Sequence, residues 1–270
     1  MAPHLLFLDL DRATKKIIGR GYESGGLYLF DHQVPQAVAC LVVPSPFEVH
    51  CHLGFRYFVT FVDDHSLSTL LYSMKNLSEL LAHFCAFHAE IRNQFNVSIK
   101  TLRTDNAGEY FSHTLGSYLC EHGIIHQSSC ADTPSQNGVA ERKNMHLLEI
   151  ACALSFQMHV PKTFWADAVS TTCFLINRMP SSILNGEIPY LVTFPTKSLF
   201  PIALKIFGCV CFVRDVRPHH TKLDPKSLKY IFLGYSRVQK RYRCYCPTLK
   251  RYLVSFNIAF FRIRLLLHHH

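Results

Sequence analysis

Phe55-Arg56-Tyr57-Phe58-Val59-Thr60-Phe61-Val62-Asp63-Asp64 is a β-branched and aromatic run that stops at two acids, and residues 69–74 resume the same texture after His65-Ser66. Two adjacent strands joined by a tight turn satisfy that pattern. At Asn76 the period changes. Leu77, Leu80, Leu81, Phe84, His88, Ile91 and Phe95 fall on one face of a helix, with Asn76 and Glu79 at capping-box offset. Residues 97–102 then read as a strand that runs out at Asp105, 114–120 as a short helix stopped by Gly123, and 124–126 as another strand. Helices are predicted over 139–158 and 163–179, the second ending before Pro180. Alternating strands and helices make this part α/β.

Outward from that centre the texture differs on both sides. Residues 5–10, 17–18 and 27–30 are short strand-like runs, separated by the polar turn 11–16 and a glycine-rich stretch. Beyond Pro201, residues 206–213, 230–235, 242–246 and 252–261 are β-rich runs divided by proline and basic turns, which predicts a small all-β barrel or sandwich. The boundary is placed near 195–203, where Pro195 and Pro201 flank Thr196-Lys197-Ser198.

Composition excludes several classes. With 49% hydrophobic and 17% charged residues in 270, the chain has enough apolar material for a folded core. No apolar run approaches the roughly 18 residues of a membrane span, and the run at Leu5 is cut at Asp9 without a preceding basic region. The 11 cysteines, odd in number and without disulfide spacing, predict free thiols in a reducing, intracellular compartment, with nucleus and cytoplasm undivided. The net charge of +9 is unevenly spread: residues 201–270 hold fourteen Lys and Arg against two acids, while residues 1–200 hold fourteen against seventeen. A basic quarter of this kind suits a polyanion partner, or is simply a well-solvated surface.

Two carboxylates stand out: Asp105, at a strand end in Thr104-Asp105-Asn106, and Glu141, in the first turn of the helix after Gln136-Asn137-Gly138. Such a pair can converge on one sheet edge and hold Mg²⁺ or Mn²⁺ for phosphoryl transfer. Taken singly, each is also an ordinary capping residue.

The words Phe55 to Asp64, Arg103-Thr104-Asp105-Asn106 and Gln136-Asn137-Gly138-Val139-Ala140-Glu141-Arg142 resemble the integrase catalytic core of copia-type retrotransposon polyproteins. The resemblance continues in order through Phe164-Trp165, Ile176-Asn177-Arg178-Met179-Pro180, Phe207-Gly208-Cys209 and Phe232-Leu233-Gly234-Tyr235-Ser236. It implies a ribonuclease-H-like core over 40–197 and a basic SH3-like β domain over 198–262, with a tail at 263–270. Residues 1–39 look like a remnant of the segment that precedes integrase in such polyproteins. The family's acidic set is Asp, Asp, Glu; its second and third members map onto Asp105 and Glu141, as catalytic and metal-binding positions. Counting back from Pro44 puts Cys40 at the first, and a soft sulfur is mismatched to a hard divalent ion.

Other candidates rank lower. Asp63 and Asp64 read as turn residues first and substitute ligands second, and Glu48 is more remote still. No zinc site is expected: His50-Cys51-His52 are too close together to wrap one ion, and Cys209/Cys211 and Cys244/Cys246 have the spacing of buried strand thiols. Arg142 and Lys143 beside Glu141, and Lys222, Lys226, Lys229, Arg237, Lys240, Arg241 and Arg243 with interleaved tyrosines, are the candidate nucleic-acid contacts. The tyrosines fit a β core equally well. Two functional readings follow: an integrase-like enzyme acting on element and target DNA, with the multimer that the resemblance implies and its rate reduced by the loss at Cys40, or a non-enzymatic nucleic-acid-binding remnant. A third is a relic that does not fold.

Overall fold

The computed structural model describes residues 7–10, 17–24, 27–30, 37–44, 54–129, 138–214, 226–237 and 239–260. Strands β1 (Phe7–Leu10), β2 (Ile17–Ser24) and β3 (Leu27–Phe30) form an antiparallel sheet in that order, with β2 running through the glycine-rich stretch. Next come β4 (Ala37–Pro44), β5 (Tyr57–Asp63) and β6 (Thr69–Met74), then α1 (Leu80–Phe95), β7 (Thr101–Thr104), α2 (His113–Glu121) and β8 (Ile125–Ser128). Helices α3 (Gly138–Gln157), α4 (Trp165–Ile176) and α5 (Pro189–Thr193) follow, and β9 (Val210–Arg214), β10 (Ser227–Tyr235), β11 (Tyr242–Cys246), β12 (Arg251–Ser255) and β13 (Ala259–Phe260) complete the chain. The fold is a mixed α/β arrangement followed by an all-β sheet.

Strands β4 to β8 make one sheet in the order β6-β5-β4-β7-β8. Phe58 to Phe61 are buried without alternation and Val62 extends the run. A strand covered on both faces carries such an unbroken apolar run. The β4–β7 and β7–β8 pairs are parallel, in register Ala39↔Arg103 and Thr104↔Ser128. Predicted boundaries shift at several places. The strand expected from Val97 begins at Thr101, because Val97 is 39% exposed. The one expected from Ile206 begins at Val210, with Ile206 in solvent. The run 252–261 is two strands, and the helix expected over 163–179 is α-helical only within Trp165–Ile176, after a 3₁₀ turn at Lys162–Phe164.

The chain divides into two compact units. The first comprises Met1–Leu41, Phe61–His65 and Ser78–Ala140. Its aromatic core stacks Phe61 on Phe87 at 4.5 Å and sets Tyr118 edge-on to Phe84 at 5.9 Å. Helix α1 follows a 3₁₀ turn at Leu77–Glu79 and ends at Asn96, which gives its N–H to Arg92 O at 2.9 Å and turns the chain out of the helix with a left-handed φ of 53°. His88 is 2% exposed on this helix, with Nδ1 3.0 Å from Tyr118 Oη, the His122 ring edge-on at 5.1 Å and Arg92 on the same helix. Burial lowers its pKa, and the charges of His122 and Arg92 act in the same direction.

The sign of that linkage is fixed. Unfolded His88 binds a proton near pH 6.5 while the folded side chain resists it, so its contribution is complete above pH 6.5 and is lost as pH falls. Thermal melting should therefore drop between pH 7.5 and 5.5, and His88→Phe should flatten that drop; an unchanged pH profile in the variant would refute this role.

The second unit comprises Val42–Thr60, Ser66–Leu77 and Glu141–His270. Helix α4 is buried nearly all round, nine of its twelve residues, among them the polar Asp167, Thr171 and Thr172. Such a helix is enclosed on several sides. Trp165, Ala168 and Val169 share one cluster with Phe58, Ala151, Phe207, Leu233 and Tyr245, so the all-β sheet packs directly on α4. Just past α4, Asn177 clamps β6: its Oδ1 accepts from Thr69 N at 2.9 Å and its Nδ2 donates to Thr69 O at 2.6 Å. The all-β sheet runs β12-β11-β10-β9-β13, and its own core holds Tyr230, Phe232 and Tyr242 together with Cys209, Cys211, Cys244 and Cys246.

Two glycines are required where this sheet meets its neighbours. Gly208 has φ +79°, and a Cβ there would lie 2.5 Å from Val160 Cγ2 and 2.8 Å from Met158 Cβ. Gly234 has φ +133°, sits at a break in the β10–β11 register, and would drive a Cβ into Thr171 Oγ1. That same hydroxyl donates to Leu233 O at 3.0 Å.

Candidate functional site

Asp105 leaves the end of β7 in the first unit. Its Oδ1 accepts the N–H of Ala107 at 3.1 Å, an Asx turn that fixes the carboxylate as the chain enters the 3₁₀ turn Gly108–Phe111. Because β4 pairs with β7 in parallel register Ala39↔Arg103, the next residue, Cys40, is level with the strand end leading to Asp105. Cys40 is 1% exposed, and its Sγ lies 3.4 Å from Tyr110 Oη, also buried. Burial pushes the thiol pKa far up, the bond to Tyr110 pulls it partly back, and the charges of Asp105 and Glu109 raise it again. At neutral pH Cys40 is a neutral thiol beside a carboxylate.

That chemistry decides how the position suits a divalent cation. Mg²⁺ and Mn²⁺ take hard, anionic or carbonyl oxygen ligands. A protonated sulfur locked against a tyrosine is the wrong donor, and among the described residues no group of three His, Cys, Asp or Glu side chains is placed to hold a metal. The residues present do not fit the ion that the three-acid pattern implies. Glu141 belongs to the second unit, exposed in the first turn of α3, with Arg142 exposed and Lys143 half-buried. Burial lowers the pKa of Lys143.

The possible substitute acids are otherwise engaged or placed. Asp64 Oδ2 accepts from Arg103 Nη1 at 2.8 Å across an exposed turn, and Asp63 ends β5. Glu48, His50, Cys51, His52, Gln136, Asn137 and Lys222 lie outside the described residues.

The basic candidates of the C-terminal sheet separate into two kinds. Lys226, Lys229, Arg237, Lys240 and Arg241 are exposed, as are Lys250 and Arg251. Arg237 donates to Tyr72 Oη at 2.8 Å and lies over its ring. Arg243 is committed elsewhere: its Nη2 is 2.7 Å from Oδ1 of Asp167, which is 2% exposed, while Tyr252 Oη donates to Asp167 Oδ2 at 2.7 Å. The interleaved tyrosines are core residues, with Tyr230, Tyr242 and Tyr245 buried and Tyr235 and Tyr252 packed against buried clusters. Cys211, Cys244 and Cys246 on the strands and Cys209 just before β9 are buried free thiols, with Cys211 Sγ and Cys244 Sγ 3.5 Å apart.

Sequence reasoning overlooked Tyr110 and Phe111. In Gly108-Glu109-Tyr110-Phe111 the two aromatics are adjacent, and only the fold buries the first and leaves the second 57% exposed.

Residues 209–264 match the family described as the retroviral polymerase SH3-like domain. The chain is 38% identical over 218 residues to a retrovirus-related Pol polyprotein from transposon TNT 1-94 of Nicotiana tabacum, covering 81% of this chain and 16% of the relative. It is 37% identical over 211 residues to the Pol polyprotein from transposon RE1 of Arabidopsis thaliana, covering 77% of this chain and 14% of that one. The Ty1-LR3 Gag-Pol polyprotein of Saccharomyces cerevisiae is 27% identical over 74% of the chain, which spans 11% of it. The chain thus spans no more than 16% of the length of these relatives. Among solved structures, the HTLV-2 integrase catalytic core domain in complex with magnesium aligns with TM-score 0.44 at 14% identity, covering 59% of this chain and 97% of that one. With this motif order, this mixed α/β arrangement and this C-terminal sheet, the chain belongs to the copia-type, retrovirus-related Pol polyprotein family and carries a retroviral polymerase SH3-like domain over residues 209–264.

Proposed function

We propose that this segment belongs to a DNA-integrating enzyme of the phosphoryl-transfer class in which Asp105 and Glu141 are retained members of the acidic set, Cys40 stands where the first acid belongs, and catalysis is impaired by that change. The carrying observation is the environment of Cys40: a buried, neutral thiol held by Tyr110 at the side of Asp105. An integrase-like site that places sulfur there lacks one of the hard oxygen donors through which two-metal chemistry works, so this chain as it stands is a poor catalyst. What it retains is the means to bind DNA. The exposed lysines and arginines of the C-terminal sheet favour the second reading, a nucleic-acid-binding segment whose affinity comes from phosphate neutralisation.

Strand transfer and cleavage on labelled duplex DNA, in Mn²⁺ and in Mg²⁺, test both. The unmodified chain should give no product yet bind DNA with an affinity that falls steeply as salt rises. Cys40→Asp should give product, and adding Glu141→Gln should abolish it. Product from the unmodified chain would refute the impairment. A folded but inactive Cys40→Asp would show that the defect lies elsewhere and leave the binding reading in place.

A further inference from the structure

Phe111 is the large aromatic side chain left in solvent beside Asp105, 57% exposed at the end of the 3₁₀ turn Gly108–Phe111. It is not a loose side chain. The His126 ring supports it at a centroid distance of 5.5 Å and a tilt of 48°. His126 is in turn anchored: its Nε2 lies 2.8 Å from Thr104 Oγ1, whose one hydrogen is given to Asp105 O at 2.9 Å. The hydroxyl therefore accepts from His126, which fixes the Nε2–H tautomer. Burial lowers the pKa of His126, so the imidazole is neutral at pH 7 and offers a flat aromatic wall without a charge. The chain Phe111, His126, Thr104, Asp105 spans β7, β8 and the 3₁₀ turn within one unit, so the exposed ring has a fixed position relative to the carboxylate.

Single exposed apolar side chains are common on protein surfaces; what sets Phe111 apart is that its ring is held by an anchored His126 next to Asp105. A nucleobase is a flat π-surface that stacks on an aromatic side chain whatever its sequence, provided the base is not already stacked in a duplex. We propose that Phe111, braced by His126, is a stacking platform for one unpaired nucleobase next to Asp105. This rests on the proposed function to the extent that the partner is a nucleic acid. It adds a preference for single-stranded over duplex DNA at this edge.

The test compares a single-stranded oligonucleotide with the duplex of the same length, at one fixed salt concentration, for the unmodified chain, Phe111→Ala and Phe111→Trp. Phe111→Ala should weaken single-strand binding about tenfold and leave duplex binding unchanged. Phe111→Trp should retain the affinity, and its new indole should be quenched by the single strand; Trp165, the one native tryptophan, is 2% exposed and supplies a constant background. No loss with Phe111→Ala, or equal loss for both DNA forms, would overturn the platform while leaving the proposed function standing. Failure of the unmodified chain to bind either form would overturn both.

Discussion

Gly234→Val is expected to remove a large part of the stability of the second unit. Two penalties coincide at this position. With φ at +133° the backbone occupies a region that residues bearing a Cβ rarely adopt, and any Cβ would be driven into Thr171 Oγ1, the group that donates to Leu233 O. Strained backbone and overpacking together come to about 4 kcal/mol, a large share of the roughly 5–15 kcal/mol that holds an ordinary domain folded. The two penalties can be separated. Gly234→Ala combined with Thr171→Ala removes the obstructing oxygen and leaves the φ strain, so the double variant should recover about half of what Gly234→Ala loses. Urea unfolding measures both, and a neutral Gly234→Ala would refute the argument.

The second large effect is at Asp167 and Arg243. Asp167 is 2% exposed on the first turn of α4, and Arg243, on β11, meets it at 2.7 Å. Arg243→Leu leaves a buried carboxylate with Tyr252 as its hydrogen-bond donor at 2.7 Å, and the expected loss is about 3 kcal/mol. Replacing both partners, Asp167→Leu with Arg243→Leu, removes the uncompensated charge and should restore much of that loss, since apolar pairs often serve as well as buried ion pairs. The same variants distinguish a structural arginine from a phosphate-binding one. Arg243→Leu should change the unfolding midpoint, whereas Lys229→Ala, at an exposed position, should change the salt dependence of DNA binding and leave the midpoint alone. A stable Arg243→Leu chain with weakened DNA binding would reverse the assignment.

The sequence is legible wherever a local period or a local conformation decides the outcome. The β5–β6 hairpin and helices α1 and α3 follow from side-chain texture alone, because burial on one or both faces leaves its period in the chain. Strand β7 begins four residues later than its texture predicts, since Val97 and Ile99 have strand propensity but only pairing with β4 and β8 determines where a ladder begins. The motif words are a different case. Asn177, Gly208 and Gly234 are visible as words, yet their work is tertiary: clamping Thr69, admitting Val160 and Met158, and making room for Thr171. Counting from Pro44 points to Cys40, but its burial against Tyr110 depends on a contact 70 residues away in sequence. The division of the basic residues was equally invisible, because Arg243 and Arg241 look alike until Asp167 is found under one of them.

The small β core has a consequence for how the chain can be watched. Cys209, Cys211, Cys244 and Cys246 are shut inside it, whereas Cys120 stands in solvent. Under native conditions an alkylating reagent would tag Cys120 at once and reach the other four only as often as the sheet opens. Mass spectrometry of the peptides that carry these four, read apart from those of Cys40, Cys85, Cys120, Cys152 and Cys173, would then display two populations, closed and opened. Their ratio over time gives the opening rate of one region with no probe introduced and no residue changed.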